Sequence, residues 1–397
     1  MNYKIENDEI RICLSGRIDT SNVAEVEKEI TDILSANENL TPAFDAGELA
    51  YISSAGLRIL MKVAKTAGKK IKISNVSKEV YDILETTGFT NILDVQKALR
   101  QVSIEGCELI GSGGYGKVYR LDPETIVKVY TAGLSLEAIQ QERDTAQKAF
   151  LLGVPTAISY DVVKCNEGYG VVFELLNAKT TAQIMDADRE RIPEIGTKCA
   201  NLLKSLHEIK IEDDSFPDRK KELLDMVDKI QPILEPSEAD EIRAFINKIP
   251  ESRSFLHGDF NSKNIMVNGD EFLLIDIGDA AFGHPVFDVT GLLLAYLYLP
   301  KSQMMSEEER YRLMGFHLED APILLNKMLA TYFNLDENDK ESIGKKIQMM
   351  MPYANLLVCG HSTRRCGYDL EHMKNVTLKL IKSKLLPSIR EAMPLEW

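Results

Sequence analysis

The sequence predicts two domains: an α/β domain over residues 1–100 and a two-lobed α+β domain over residues 104–397. Strand-like and helix-like segments alternate in the first hundred residues. From Cys107 onward, closely spaced strands and one helix are followed by a long, mostly helical stretch. We place the first lobe at about 104–176 and the helical lobe at about 177–397. The length of 397 residues fits two or three domains at about 150 residues each.

The composition excludes several classes of protein. Hydrophobic residues make up 44% and charged residues 27%, as in ordinary globular proteins. The net charge of −14 argues against a nucleic-acid or anionic-membrane surface. The six cysteines show no metal-type spacing, and the longest apolar run, near 289–299, is too short to span a bilayer. The N-terminus lacks the apolar core of a signal peptide, so we expect a cytoplasmic protein without nucleic-acid or membrane partners.

Periodicity defines the elements of the first domain. Residues 9–15 alternate, with Ile10, Ile12 and Leu14 on one face, as in a half-buried strand. Ser21 is the expected N-cap of a helix with an apolar stripe. The remaining elements are strands at 42–45 and 70–73 and helices from about 55 and around 78–86.

Two motifs relate this segment to a known family: Leu14-Ser-Gly-Arg-Ile-Asp19 and Tyr51-Ile-Ser-Ser-Ala-Gly-Leu-Arg58. Together they make residues 1–98 resemble a STAS domain, the fold of anti-sigma factor antagonists. The resemblance implies a regulatory or partner-binding module with a phosphorylated serine at Ser54, where a phosphate would meet a helix N-terminus. The alternative is that Ser53 and Ser54 only cap the helix. It is favoured because the family's switch proteins usually have Asp where this chain has Ser53.

The second domain contains a set of residues suited to phosphoryl transfer. Asp259 and Asn264 lie five residues apart before a short apolar strand, and Asp276 ends the next strand. Phosphoryl transfer needs a carboxylate to orient or deprotonate the attacking hydroxyl, and oxygen ligands to hold Mg²⁺ on a triphosphate. The pattern therefore predicts a phosphotransferase that uses ATP and Mg²⁺. In it, Asp259 is catalytic, and Asn264 and Asp276 bind the metal.

Earlier residues complete a nucleotide site. The segment 111–119 matches a glycine-rich loop between two strands, so Gly111, Gly113 and Gly116 would let backbone amides approach phosphates. On its own such a segment is more often a hairpin turn than a nucleotide loop. Lys128 follows on a strand, and Glu142 lies in the apolar stripe of the helix predicted at 136–151. Because a buried carboxylate needs a cationic partner, we expect Lys128 and Glu142 to pair.

Other residues are assigned supporting roles. The strand at 169–176 should act as the hinge, with the backbone of Glu174 to Leu176 facing adenine. His257 is expected to brace the catalytic loop by hydrogen bonds. Asp279 is either a carboxylate near the metal or a turn residue, and Asp288 is expected to anchor the loop. Arg364 and Arg365 either approach a phosphate or an acidic acceptor or, as favoured here, lie solvated at a helix start.

These residues give the second domain a family resemblance, carried by His257-Gly-Asp259, Asn264, Ile275-Asp276, Asp279 and the trailing Gly283, Pro285 and Asp288. The domain looks like the aminoglycoside phosphotransferase and choline kinase family, which has a protein-kinase-like fold. The resemblance implies the same roles for Asp259, Asn264 and Asp276. Gly258 stands where protein kinases have Arg. About a dozen residues between Asp276 and Asp288 leave no room for a peptide-docking segment, which favours a small-molecule hydroxyl acceptor.

Three functions follow as hypotheses. The leading one is an ATP- and Mg²⁺-dependent kinase of a small molecule, fused to a STAS module that regulates it or binds a protein partner. The alternative is a partner-switching signalling protein whose kinase domain phosphorylates or controls the STAS domain at Ser54, or acts on a protein partner. A nucleotide-binding pseudoenzyme is disfavoured by the intact set of metal ligands.

Overall fold

The computed structural model describes residues 1–6, 8–113, 116–131, 133–166, 168–365, 367 and 369–397. Gly114 and Tyr115 of the glycine-rich segment, the side chain of Arg365, and Cys366 lie outside this description. The chain divides into two compact units. The first comprises residues 1–103 with 163–166, and the second comprises residues 104–162 with 167–397.

The first unit is built on a five-stranded sheet. Its strands, in spatial order, are Tyr3–Glu6, Glu9–Ile18, Thr41–Ile52, Lys72–Val76 and Asp94–Lys97. The first pair is antiparallel and the following pairs are parallel. The helices of the unit are Val23–Ser35, Ser54–Ala67 and Lys78–Thr86. Ile10, Ile12 and Leu14 are fully buried in its core, as their alternation in the sequence predicts.

The helix starts of this unit differ in how they are capped. Asn22, rather than Ser21, occupies the N-cap position of Val23–Ser35, and its side chain makes no capping hydrogen bond. The prediction for Ser21 is wrong: Ser21 lies before the N-cap, in a turn where its amide and its hydroxyl both donate to Asp19 Oδ1, the hydroxyl at 2.6 Å. At the next helix, Ser53 Oγ accepts from the Gly56 amide at 3.4 Å. Ser54 is the first helical residue, and its side chain is exposed.

The second unit begins with a sheet and one helix. The strands lie in the order Leu109–Gly113, Gly116–Arg120, Thr125–Tyr130, Gly168–Glu174 and Ser159–Cys165. The helix Leu136–Leu151 starts after Ser135, whose hydroxyl accepts from the Ala138 amide. It buries Ile139, Ala146 and Ala149, so the strand and helix bounds expected around Lys128 and Glu142 are confirmed.

The rest of the second unit is mostly helical. Its longer helices are Thr181–Ala187, Ile192–Glu208, Arg219–Ile230, Pro236–Asn247, Val286–Leu293, Glu307–Met314, Ala321–Phe333 and Lys340–Arg365. Two short antiparallel strand pairs, described with the site below, lie among them. Across the described residues, no helix combines the length and the apolar character that crossing a bilayer requires.

The final long helix corrects one expectation. Arg364 lies at the end of Lys340–Arg365, so the interpretation of this segment as a helix start is wrong. Gly360, four residues earlier, also lies within this helix. A Cβ at Gly360 would make an ordinary contact of 3.5 Å with the sulfur of Met226, so packing does not require glycine at this point.

Candidate active site

Two antiparallel strand pairs, of which the second is a hairpin, position the residues of the site. Ser254–Leu256 pairs with Ala281–Gly283, and Ile265–Asn268 pairs with Glu271–Leu274. In this hairpin Ile265 is opposite Leu274, and the Ile275 amide donates to the Asn264 carbonyl at 2.9 Å. Residues just before one strand and just after its partner must therefore meet at the same end of the hairpin. This brings Asn264 close to the segment that contains Asp276.

Asp259 is held by two asparagines. Asn264 Nδ2 donates to Asp259 Oδ2 at 2.9 Å and to its carbonyl oxygen at 3.0 Å. Asn261 Nδ2 donates to Asp259 Oδ1 at 2.9 Å. Burial raises the pKa of Asp259 above its ordinary value, and the nearby charges of Asp276 and Asp279 raise it further against the opposite influence of His257 and Asn261. Asp259 is thus a fixed, partly desolvated carboxyl with acidic neighbours.

Lys128 joins two carboxylates from different parts of the unit. Its Nζ lies 2.8 Å from Glu142 Oε1 and 2.8 Å from Asp276 Oδ1. Burial alone would lower the pKa of Lys128, but Asp276 and Glu142 raise it above the ordinary value, so the ammonium stays charged. The ion pair expected between Lys128 and Glu142 is present. A Cβ at Gly278 would lie 3.0 Å from Glu142 Cγ. Glycine at this position therefore allows the helix that contains Glu142 to pack closely against the turn after Asp276.

Tyr130 belongs to the same cluster, although the sequence analysis did not select it. Its hydroxyl donates to Glu142 Oε1 at 2.7 Å, and its ring centroid lies 5.1 Å from Lys128 Nζ. Burial raises the pKa of Tyr130, so its hydroxyl remains a donor. The sequence could have indicated Tyr130, because residues two apart on a strand share a face and Tyr130 follows Lys128 by two positions. Glu142 is therefore held by two donors from one strand.

Asp288 anchors the backbone of the loop that contains Asp259. Its Oδ2 accepts from the His257 amide at 2.8 Å, and its Oδ1 accepts from the Gly258 amide at 2.9 Å. His207 Nε2 lies 3.3 Å from Oδ2, and His207 Nδ1 lies 2.7 Å from the hydroxyl of Tyr332. Burial alone would raise the pKa of Asp288, but His207, His257 and the Gly258 amide hold it below the ordinary value. Asp288 therefore remains a carboxylate.

His257 and Arg219 brace the same loop. The ring of His257 is fully buried, and its Nδ1 accepts from the Asp259 amide at 3.2 Å. Arg219 Nη2 donates to the carbonyl oxygen of Asp279 at 2.7 Å. Asp279 ends the short turn Ile277–Asp279, and its charge acts on Asp259. The sequence analysis missed Arg219, His207 and Tyr332, which lie far along the chain from the residues they hold.

A cleft of 870 Å³ lies beside Lys128. Its apolar lining includes Ile110, Val118, Ile126, Phe173, Met266 and Ile275. The strand residue Glu174 and the following Leu175 and Leu176 form one edge. The Glu174 amide donates to the Ile158 carbonyl and the Leu175 amide to the Glu124 carbonyl. Within the described residues, the Leu176 amide has no backbone acceptor. Of these three amides, only that of Leu176 can donate a hydrogen bond to a ligand in the cleft without losing a backbone acceptor.

The three described glycines of the loop differ in what they permit. A Cβ at Gly116 would lie 2.2 Å from the Val129 carbonyl oxygen, so strand pairing itself requires glycine there. A Cβ at Gly111 would make only ordinary contacts with Val118, and at Gly113 it would meet nothing within 4 Å. These two glycines are not required by packing. They leave the backbone open on the side of the cleft, as a phosphate-binding loop needs.

The oxygen atoms near Lys128 suit a hard cation. Asp276 uses Oδ1 for Lys128, and Asn264 uses its amide nitrogen for Asp259, so each side chain keeps an oxygen for another ligand. Across the part of the chain described here, no group of three or more His, Cys, Asp or Glu side chains has the geometry of a metal site. Mg²⁺ fits this arrangement, because proteins usually hold it with one or two side chains together with phosphates and water.

A family comparison decides the class of protein. Residues 106–315, more than half of the chain, match the model of the phosphotransferase enzyme family. The chain belongs to this family. The kinase-like, two-lobed α+β domain expected from the sequence is confirmed, and this phosphotransferase carries a STAS domain, whose family model ("Mlab, STAS domain") matches residues 1–95.

Individual relatives are similar to parts of this chain. A Bordetella bronchiseptica protein whose name describes it as an anti-sigma factor antagonist, BtrV, is 31% identical over 86 residues, which are 21% of this chain and 73% of the relative. The ADP-bound aminoglycoside phosphotransferase APH(2'')-Ib is 17% identical, covers 70% of this phosphotransferase and 94% of its own chain, and has a TM-score of 0.45. A choline/ethanolamine kinase family protein from Mesorhizobium loti is 14% identical, with coverages of 72% and 92% and a TM-score of 0.42.

Proposed function

We propose that this phosphotransferase moves the γ-phosphate of ATP to a hydroxyl group of a small molecule, with Mg²⁺ as the metal. One observation carries the proposal. The pair of Asp259 and Asn264 and the pair of Lys128 and Asp276 line one cavity next to this cleft, and the charges of Asp259 and Asp276 influence each other. An arrangement of fixed carboxylates around a charged ammonium matches the needs of phosphoryl transfer.

Each residue has a defined task in this proposal. Lys128, oriented by Glu142 and Tyr130, binds phosphate oxygens, and the backbone at Gly111 and Gly113 approaches them from the sheet. The backbone of Glu174 to Leu176 lines the adenine side of the cleft, where the Leu176 amide donates to the base. Asp259 orients the acceptor hydroxyl and takes up its proton. His257, Asp279 and Asp288 keep the loop in place.

Asn264 and Asp276 are the side chains that would hold Mg²⁺, which when bound neutralises charge on the phosphates. One residue precedes the first strand of the hairpin and the other follows its second strand, so the fold itself brings them together at the open end. Asn264 also fixes Asp259 through its amide nitrogen. Replacing it would therefore change both the metal site and the orientation of the catalytic carboxylate.

The test separates binding from chemistry. Asp259→Asn should bind Mg-ATP with unchanged affinity in calorimetry, whereas ADP release with an acceptor found by screening sugars, amino alcohols and aminoglycosides should fall by about 10²- to 10⁴-fold. Asp225→Asn is the matched control, because Asp225 is exposed on the helix Arg219–Ile230. Turnover by Asp259→Asn at the wild-type rate would rule out the proposed role of Asp259.

A second candidate function rests on Ser54. This exposed serine begins the helix Ser54–Ala67 in the segment similar to an anti-sigma factor antagonist. Phosphorylation there would add charge at the positive end of the helix dipole and could switch a protein partner. Incubation with γ-labelled ATP and mapping of the labelled peptide tests this function. Label lost in Ser54→Ala but kept in Ser53→Ala supports it, whereas label only in a small soluble product contradicts it.

A further inference from the structure

A second cavity of 650 Å³ adjoins Asp259, and it is called the acceptor cavity below. The carboxylates that line it are Asp259, Asp276, Asp279 and Asp288. All of them lie in or next to the catalytic loop and the turn that follows the hairpin. Asp288 already accepts hydrogen bonds from two loop amides, and Asp276 already pairs with Lys128. These acidic groups therefore have partners or tasks within the catalytic machinery.

The lining contributed by the later helices has a different character. Beyond residue 288, and among the described residues, the acceptor cavity is lined by no carboxylate. Most of this part is apolar and includes Leu294, Leu299, Met305, Leu313 and Leu357. An ammonium group placed against such a surface would lose its hydration without gaining a counter-charge. The cavity is thus poorly suited to an acceptor that carries several positive charges.

A basic group completes this lining. Leu357, His361 and Arg364 lie four and three residues apart on the helix Lys340–Arg365, so they share one face of it. The Arg364 side chain is exposed, and no ion pair found among the described residues involves it. A guanidinium group without a protein carboxylate presents several donors suited to a carboxylate or phosphate.

We propose that the acceptor is a small molecule with a hydroxyl group, an apolar body and an anionic group, and that Arg364 binds the anionic group. The inference rests on the proposed function, because this is the acceptor cavity only if Asp259 meets the acceptor hydroxyl. In that geometry the hydroxyl lies at Asp259 and the body packs against Leu294, Leu299 and Leu357. The anionic group is recognised at the end of the last long helix.

The test uses the full chain and three matched series of probes. These are ω-hydroxycarboxylic acids of about six to twelve carbons, the corresponding diols and the corresponding amino alcohols. Binding is measured by calorimetry with and without Mg²⁺ and a non-hydrolysable ATP analogue, and turnover is measured as ADP release with Mg-ATP. The hydroxy acids should bind most tightly and the amino alcohols least. Arg364→Gln should weaken hydroxy-acid binding about tenfold and leave diol binding unchanged. Arg312→Gln, an exposed change of equal charge that does not line the cavity, should alter neither.

The outcomes separate this inference from the proposed function. The inference is overturned if an amino alcohol binds as tightly as its hydroxy acid, if no hydroxy acid binds, or if Arg364→Gln weakens diol and acid equally. Those results leave Mg-ATP binding untouched. Failure of the wild-type chain to bind the nucleotide analogue overturns the proposed function instead, whatever the order of probe affinities.

Discussion

Gly258 and Asp279 approach so closely that no side chain fits between them. A Cβ at Gly258 would lie 2.2 Å from the carbonyl oxygen of Asp279, and Gly258 has a φ of +84°. The same carbonyl accepts a hydrogen bond from Arg219. The glycine that distinguishes this loop from that of protein kinases is therefore required by the backbone. The turn Ile277–Asp279 occupies the space that a larger residue would need.

Gly258→Ala should therefore destabilise the protein and remove activity. We expect a loss of about 3 kcal/mol or more in the free energy of unfolding, because positive φ and backbone overlap act together. Gly153→Ala is a matched control: its φ is +85°, but its Cβ would meet nothing within 4 Å. That change should cost only about 1–2 kcal/mol. Urea unfolding of both variants measures the difference, and equal losses would contradict the role of the contact with Asp279.

Tyr130→Phe should lower kcat/KM for ATP by about tenfold. The change removes the hydroxyl that donates to Glu142 Oε1, and a hydrogen bond to a charged group is worth about 1.5 kcal/mol. Its effect should largely disappear in a Glu142→Gln background, since the two residues act through one contact. Tyr160→Phe, at a half-exposed tyrosine, is the control. Independent, additive effects in the double variant would argue against this coupling.

Asp288→Asn should reduce the free energy of unfolding at pH 7 by about 2–4 kcal/mol, because buried donors would lose a charged acceptor. The pKa of Asp288 is lower in the folded state than the unfolded value of about 3.9. Its contribution is therefore fully present above that value and is lost as pH falls through the folded pKa. The difference between wild type and variant should shrink below about pH 4. Unfolding curves at several pH values measure it, and a constant difference down to pH 3 would contradict the assignment.

Ser53→Ala should lower the free energy of unfolding of the first unit by about 1 kcal/mol, because the Gly56 amide would lose its acceptor. Ser54→Ala should change stability by only a few tenths of a kcal/mol, since the exposed Ser54 side chain does not cap the helix. Calorimetric unfolding of the two variants tests this distinction. A larger loss of unfolding free energy for Ser54→Ala than for Ser53→Ala would contradict the assignment of Ser53 as the capping residue.

Local patterns in the sequence predicted the parts of the site that depend on one or two elements. A carboxylate in the apolar stripe of a helix and a lysine on a neighbouring strand were enough to pair Glu142 with Lys128. The spacing of the motifs also predicted that Asp259, Asn264 and Asp276 belong to one site. The left-handed conformation of Asp276, with a φ of 63°, leaves no mark in the sequence.

Contacts across long stretches of chain could not be predicted in this way. His207 reaches Asp288 from 81 residues away, and Tyr332 reaches His207 from 125 residues away. Neither residue stands in a motif, and each lies in an ordinary helix. Only packing of the helical lobe brings them together. The anchoring of the loop that contains Asp259 is therefore a property of the tertiary structure.

The contact between Lys128 and Asp276 has a thermodynamic consequence. Each group neutralises the other at 2.8 Å, so a divalent ion arriving alone at Asp276 must compete with a resident ammonium. A triphosphate offers that ammonium a new counter-ion and so frees the carboxylate. Cation and nucleotide affinities should consequently reinforce one another, as linkage between two ligands requires. In the proposed function, the ion pair between Lys128 and Asp276 should therefore open only when nucleotide and cation bind together.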